Sequence, residues 1–339
     1  MTVSVAIVAL EGVSDSSLAV TLDAFLAANR AATALLRQPA PFDVCVVGVT
    51  RARVRARSGM EVTPARTFAG LRKVDLAIVP GMGMADPAEI DATLGQPHVR
   101  AACSWLARRW RTGAHVASSC SGVFLLAAAG LLDGQPATTT WWLGPELAAR
   151  FPAVEVDAAQ MVVEGDRVLT AGAALAQIDL VLRLVSRFAG PSLAELVARY
   201  LVVDERPSQA RYAIVHHLTH GSDTARKAER WIRKNLDRPF RMAELARATA
   251  STHRTLARRM REATGLSPLA FVQQVRMETA RHLLATTRIS VEEIACRVGY
   301  DTSATLRRVL AQHTGLRPSD LRPPRQPPRP EIKKPMKAP

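Results

Sequence analysis

Apolar and polar positions follow two different rhythms along the 339-residue chain. Over the first 200 residues, short apolar runs alternate with longer stretches whose apolar positions recur at helical spacing. The runs at 3–10, 42–49, 74–80 and 115–119 read as strands. The stretches at 18–32, 99–111, 122–129 and 176–188 read as helices, with a short hairpin-like region at 165–170 and a last helix at 193–200. Strands separated by helices of that length predict a doubly wound, mostly parallel α/β sheet covered on both faces. Beyond residue 222 no strand pattern remains. Helices are expected at 224–235, 242–248, 254–263, 268–285, 291–298 and 303–312, giving an all-α second domain. The predicted divisions are a first domain at 1–204, a linker at 205–222 and a helical domain at 223–322. A basic, proline-rich tail at 323–339 is too polar and proline-broken to fold.

The helical part contains a repeat of about 50 residues. Thr264-Gly-Leu-Ser-Pro268 returns as Thr314-Gly-Leu-Arg-Pro318, and Glu244-Leu-Ala246 returns as Glu293-Ile-Ala295. Each copy reads as a short helix, a tight turn and a second helix, the arrangement of a helix-turn-helix unit. In copy one, Leu256, Met260 and Ala263 share one face of the second helix, while Arg254, Arg258 and Arg261 share another. In copy two, Leu306 and Leu310 face inward, leaving Ser303, Arg307 and Arg308 to face out. Such a helix fits the major groove, where arginine meets guanine O6 and N7 with two hydrogen bonds.

Charge strengthens that reading. Residues 1–220 hold 20 basic and 19 acidic side chains, whereas 221–339 hold 25 and 11. A neutral module followed by a strongly basic one implies an anionic partner, with double-stranded DNA the default. Other classes fall away. The longest apolar runs are about half the roughly 20 residues that span a bilayer. The first ten residues lack a basic n-region, so a cytoplasmic location is expected. Cys45, Cys103, Cys120 and Cys296 form no C-x-x-C pair, which argues against a disulfide framework, and no metal or cofactor is expected.

One stretch of the neutral module carries candidate chemistry. His115-Val-Ala-Ser-Ser-Cys-Ser-Gly-Val-Phe124 reads as a strand turning sharply into a helix, with Cys120 at the tip and small neighbours Ser119, Ser121 and Gly122. A helix N-terminus there would lower the thiol pKa. Pro80-Gly-Met-Gly83 could offer backbone donors opposite it.

Residues 224–322 resemble the AraC/XylS-type DNA-binding domain, through 251–259, Thr264-Gly-Leu-Ser-Pro268, Arg276-Met-Glu-Thr-Ala-Arg281 and Ile294-Ala-Cys-Arg-Val-Gly-Tyr300. Leu306 stands where that family usually has an aromatic residue, and Leu321 replaces the aromatic of its closing motif. The resemblance places Arg254, Ala257 and Arg258 in the groove from copy one. From copy two it places Ser303, Ala304, Thr305 and Arg308 there. Residues 3–190 resemble the ThiJ/PfpI superfamily, through Ala117-Ser-Ser-Cys-Ser-Gly122, Ala129-Gly-Leu-Leu-Asp-Gly134 and Ala137-Thr-Thr-Thr-Trp141. The combination is similar to the GlxA-type transcriptional regulators.

Enzymatic relatives of the first module pair the elbow cysteine with a carboxylate, and here that position is Ser17, with Asp15 and Glu11 nearby. A histidine that often follows the cysteine is Ser121, and another before the tryptophan is Thr140. The resemblance without its acid–base partners implies a non-enzymatic, effector-sensing and dimerising domain. Its expected pocket comprises Cys120, Ser17, Met82, Ser121, Thr140, Trp141 and Trp142. Tryptophan faces there would suit an amine or quaternary ammonium effector. The competing readings are a cysteine-dependent hydrolase or lyase of the ThiJ/PfpI type, and a redox sensor acting through Cys120.

Overall fold

The computed structural model describes residues 2–204, 206–209, 212–219 and 222–322. The chain divides into two compact units, one of Met1–Ala225 with Ala257–Ser267, the other of Arg226–Leu256 with the residues from Pro268 onward. The expected tail at 323–339 lies outside the described residues.

The first unit is built on seven strands: β1 (Val3–Val8), β2 (Phe42–Gly48), β3 (Arg66–Thr67), β4 (Leu76–Val79), β5 (His115–Ser119), β6 (Val162–Glu164) and β7 (Val168–Ala171). They lie in the order β6-β7-β5-β4-β1-β2-β3, every neighbouring pair parallel except the β6–β7 hairpin. Around them run α1 (Asp15–Ala34), α2 (Pro87–Leu94), α3 (Pro97–Arg111), α4 (Val123–Ala128), α5 (Gly144–Arg150), α6 (Ala176–Ala189), α7 (Pro191–Tyr200) and α8 (Val215–Thr219). Because side chains alternate across a strand, β1 serves both faces. Val5 and Ile7 join Phe25 and Ala28 of α1 and Leu180 and Leu184 of α6. Ala6 and Val8 join Trp105 and Leu106 of α3 and Phe124 and Leu125 of α4. The doubly wound expectation is therefore met.

Strand β1 stops at Val8, short of the expected residue 10, because Val13 N–H turns back onto the Leu10 carbonyl and Gly12 takes φ +79°. Helix α2 was missed although Asp86 accepts a hydrogen bond from Glu89 N–H ahead of Pro87, an ordinary helix-start signal. The stretch expected as a linker is partly tied down. Arg206 pairs with Asp179 of α6, and Gln209 is buried.

The second unit is helical, and the whole stretch from residue 223 to 314 follows its predicted pattern: α9 (Asp223–Lys234), α10 (Met242–Ala248), α11 (His253–Thr264, of which the part from Ala257 groups with the first unit), α12 (Pro268–Thr286), α13 (Val291–Arg297) and α14 (Ser303–Thr314). The repeated Thr-Gly-Leu closes α11 and α14 in the same way. Thr264 and Thr314 donate to the carbonyls of Met260 and Leu310 and accept from Leu266 and Leu316 N–H. Gly265 and Gly315 then take φ +72° and +70°, a left-handed step that glycine makes without strain. Leu306, despite replacing an aromatic, is wholly buried with Ile294, Val298, Tyr300 and Leu310. Leu306→Ala is expected to destabilise this unit by about 2–5 kcal/mol. Urea unfolding followed by hydrogen exchange of α13 and α14 checks it, and a loss well under about 1 kcal/mol would contradict the packing described.

Candidate functional site

Strand β5 ends in buried Ser118 and Ser119 and passes directly to Cys120, whose φ is +54°. A non-glycine residue held there stores about 1–3 kcal/mol of backbone strain. The surroundings fix it. Cys120 N–H donates to the Gly172 carbonyl at 2.8 Å, and Thr139 Oγ1 donates to the Cys120 carbonyl at 2.7 Å. A one-turn 3₁₀ segment, Cys120–Gly122, then leads into α4. The sharp strand–helix elbow expected from the sequence is present.

The loop after β4 meets this elbow at Gly81. A Cβ placed there would lie 3.1 Å from Ser17 Oγ and 3.2 Å from Cys120 Cβ, closer than a side chain at position 81 ordinarily comes to its neighbours. Ser17 Oγ is buried without a hydrogen-bond partner, and the one group the buried Thr140 hydroxyl serves is the Cys120 thiol. An orphaned hydroxyl such as that of Ser17 costs about 1–3 kcal/mol and is exceptional in a folded core.

One sequence-based expectation needs correction here. Burial raises the Cys120 thiol pKa, outweighing the Ser121, Ala174 and Thr140 groups that pull it down, so the lowered pKa expected of a helix N-terminus is not found. The 3₁₀ turn and six-residue α4 supply too little dipole to offset desolvation. Met82 belongs to the hydrophobic core on the α3–α4 side. Ser121 is fully buried, with its Oγ accepting Met84 N–H at 3.1 Å, so it anchors the loop after β4. A raised pKa keeps the nucleophilic thiolate scarce until the pH exceeds the usual thiol range. Iodoacetamide at neutral pH should therefore label exposed Cys296 at least about 10-fold faster than Cys120, read by peptide mapping. A Cys120 rate already levelling off near pH 7 would show the opposite.

The two candidate carboxylates are engaged elsewhere. Asp15 accepts Ser58 N–H at 3.0 Å and Ser58 Oγ–H at 2.6 Å, contacts that hold its carboxyl below the usual range. Glu11 accepts Arg55 N–H.

Residues that the sequence reading missed complete the site. Ser119 Oγ donates to Gln177 Oε1 of α6, Gln177 Nε2 to Thr21 Oγ1 of α1 at 2.8 Å, and Thr21 to the Ser17 carbonyl at 2.6 Å. Gln177 could have been noticed as a polar residue on the apolar face of an amphipathic helix. Trp141 and Trp142 pack edge to face at 5.0 Å, and the His217 ring stands 5.5 Å and 6.2 Å from them. Nothing in the sequence links His217 to that pair, because the contact spans more than 70 residues.

On the helical side, Arg254, Arg258 and Arg261 are exposed on α11, with Ala257 half-buried between them. On α14, Ala304, Arg307 and Arg308 are exposed, while Ser303 and Thr305 are half-buried. Their engagement differs. Arg258 pairs with Glu262 at 2.7 Å, and Arg307 bonds Glu292 at 3.1 Å and Ser303 Oγ at 2.9 Å. Arg254, Arg261 and Arg308 have no partner among the described residues. Thr252 and Thr302 cap the two helices by accepting from Thr255 and Thr305 N–H, which sets both start points alike.

An α/β unit with a strained cysteine elbow, joined to a helical unit with two arginine-bearing helix-turn-helix copies, defines a two-domain class. The DJ-1/PfpI family profile matches residues 3–187, and a helix-turn-helix domain profile matches 245–323. The chain belongs to the DJ-1/PfpI family and carries a helix-turn-helix domain. It is 28% identical over 272 residues to the HTH-type transcriptional regulator CdhR of Pseudomonas aeruginosa, spanning 79% of this chain and 78% of CdhR. It is 27% identical over 220 residues to the HTH-type transcriptional regulator GlxA of Rhizobium meliloti, spanning 64% and 68%. An enzyme shares the first domain. Isonitrile hydratase of Pseudomonas putida is 32% identical over 145 residues, 42% of this chain and 58% of the hydratase. Among solved structures, a ThiJ/PfpI family protein from Pseudomonas syringae has the same fold, with a TM-score of 0.51 at 20% identity over 74% of this chain and 89% of that one.

Proposed function

We propose that this protein is a DNA-binding transcriptional regulator whose first unit senses a small molecule and whose helical unit binds double-stranded promoter DNA. The carrying observation is the pair of identically capped helices that present Arg254, Arg261 and Arg308 without intramolecular partners. Unpaired guanidiniums on groove-sized helices can bond phosphates or guanine edges without first breaking an ion pair. The relatives named as HTH-type regulators support the same reading.

The elbow supports sensing over catalysis. Thiol catalysis needs an activated sulfur with an acid or base in reach, whereas this thiol is shifted toward its neutral form and both nearby carboxylates bond other groups. The partnerless Ser17 hydroxyl and the Thr140 hydroxyl at the thiol suit a polar ligand that donates and accepts hydrogen bonds. An amine or quaternary ammonium group would suit the faces of the Trp141 and Trp142 rings. Dimerisation through the first unit and a cytoplasmic location complete the proposal. No described helix is long and apolar enough to cross a membrane.

The test begins with a duplex selected by the full chain from a randomised DNA pool. Its binding constant should fall steeply with salt, linearly on a log–log plot, as counterion release requires. Equal affinity for every duplex in the pool would reject promoter recognition. A metabolite screen on the same complex should find a compound that shifts DNA affinity in wild type and has no effect in a Ser17→Ala, Thr140→Val variant. Measurable hydrolase or hydratase turnover that disappears in Cys120→Ser would favour the enzymatic reading instead.

A further inference from the structure

The residues that follow the α/β core, 206–209 and 212–219, lead along the chain to α9 and are fastened to the first unit at four residues. Arg206 pairs with Asp179 and also donates to the Leu175 carbonyl at 2.7 Å. Gln209 is 1% exposed and works as a bolt. Its Nε2 donates to the Thr139 carbonyl at 2.7 Å and the Gln160 carbonyl at 3.2 Å, while its Oε1 accepts Ala173 N–H at 3.1 Å. Ser208 adds a bridge to Gln160, with its Oγ donating to the Ala159 carbonyl at 2.7 Å. Further along, His217 packs against both Trp141 and Trp142.

These anchors touch the groups that hold Cys120. Thr139, whose carbonyl accepts from Gln209, is the residue whose hydroxyl caps the Cys120 carbonyl. Gly172, whose carbonyl receives Cys120 N–H, lies so close to Gln209 that a Cβ on it would overlap the Gln209 amide. Thr140, whose hydroxyl acts on the Cys120 thiol, sits between Thr139 and Trp141 in the chain. A change at the elbow therefore reaches Gln209 through one residue on either side of it.

We propose that this strap is the readout element of the elbow site, with Gln209 and His217 holding it in one position and a ligand at Cys120, Ser17 and Thr140 shifting it to another. The proposal rests on the sensing role given to the elbow above. Its physical basis is a two-position element biased at one end by ligand and joined at the other to the DNA-binding unit. A buried glutamine whose amide meets Ala173, Thr138, Thr139 and Gln160 suits that task, because its side chain is either seated or released and intermediate positions leave polar groups unpaired.

The test uses the full chain without effector, with the selected duplex as probe. Gln209→Ala removes the bolt. Gly172→Ala leaves Gln209 in the sequence but takes its seat, since the far end of a flexible side chain is what must move. His217→Ala removes the aromatic anchor, and His217→Phe keeps it. Gln209→Ala and Gly172→Ala should both speed amide exchange across 212–219 and change affinity for the duplex about fivefold or more, in the same direction. His217→Ala should follow them and His217→Phe should stay near wild type, a rescue that general destabilisation would not give. Released strap amides with unchanged DNA affinity would overturn the proposal while leaving the sensing reading intact. Unchanged exchange in both Gln209→Ala and Gly172→Ala would overturn it too, by showing that the bolt does not hold the strap. Loss of the metabolite response in Ser17→Ala, Thr140→Val and in both Gln209→Ala and Gly172→Ala would support it, whereas a normal metabolite response in the two strap variants would overturn it.

Discussion

Replacing Arg254 and Arg308 together with alanine should lower affinity for the selected duplex by about 100-fold or more. Each side chain sits on the exposed face of a repeated helix with no competing carboxylate. A bidentate arginine–guanine contact contributes about 1–3 kcal/mol of discrimination, and contacts in separate copies should add. If both arginines read bases, the loss concentrates on particular base pairs and the salt slope changes little. If they hold phosphates, affinity drops for every sequence and the slope falls by about one for each arginine. Arg258 gives an internal contrast. Its pairing with Glu262 must open before it can reach DNA, so Glu262→Ala should tighten binding modestly through removal of that competitor and of a nearby negative charge. A double arginine variant within about threefold of wild type would remove α11 and α14 as the reading helices.

The second large effect is expected at Gly122. Its φ is ordinary, −60°, so alanine is not excluded by backbone preference. What excludes it is space, since a Cβ there would overlap the Pro80 carbonyl oxygen and crowd Ser118 Oγ. Neither neighbour moves freely, as one is backbone and the other is buried in β5. Gly122→Ala should therefore cost about 3 kcal/mol, a large part of the stability of an ordinary domain. It should also separate the elbow from the loop after β4 and make Cys120 reactive to iodoacetamide. Gly113→Ala is the control. Its φ of +98° strains an alanine, but nothing lies within 4 Å, so only the smaller backbone cost should appear. Thermal unfolding ranks the two, and equal losses would show that close approach is not the reason for Gly122.

Much of this architecture could be read directly from residue order. Strict alternation in β1 supplies both faces of the sheet, so Val5 and Ile7 part from Ala6 and Val8 whatever surrounds them. The Thr-Gly-Leu repeat carries its own hydrogen bonds within three residues, and for that reason it closes α11 and α14 alike. The elbow was legible because small residues flank Cys120 where strand pattern turns to helix pattern. The short strands β3 and β6 were not, since two or three residues cannot establish a period and their pairing comes entirely from neighbours.

The site divides along the same line. Residue order alone places a cysteine on a tight strand–helix turn and arginines along one face of two helices. Both are consequences of local spacing. The tertiary packing set the state of that cysteine, because desolvation depends on everything around it and here outweighs the hydrogen bonds from Ser121, Ala174 and Thr140. It also decided which arginines are unpaired, and it brought Gln209 and His217 onto residues some 70 positions earlier. Contacts at such separation depend on how the intervening strands and helices pack, and no local pattern encodes them.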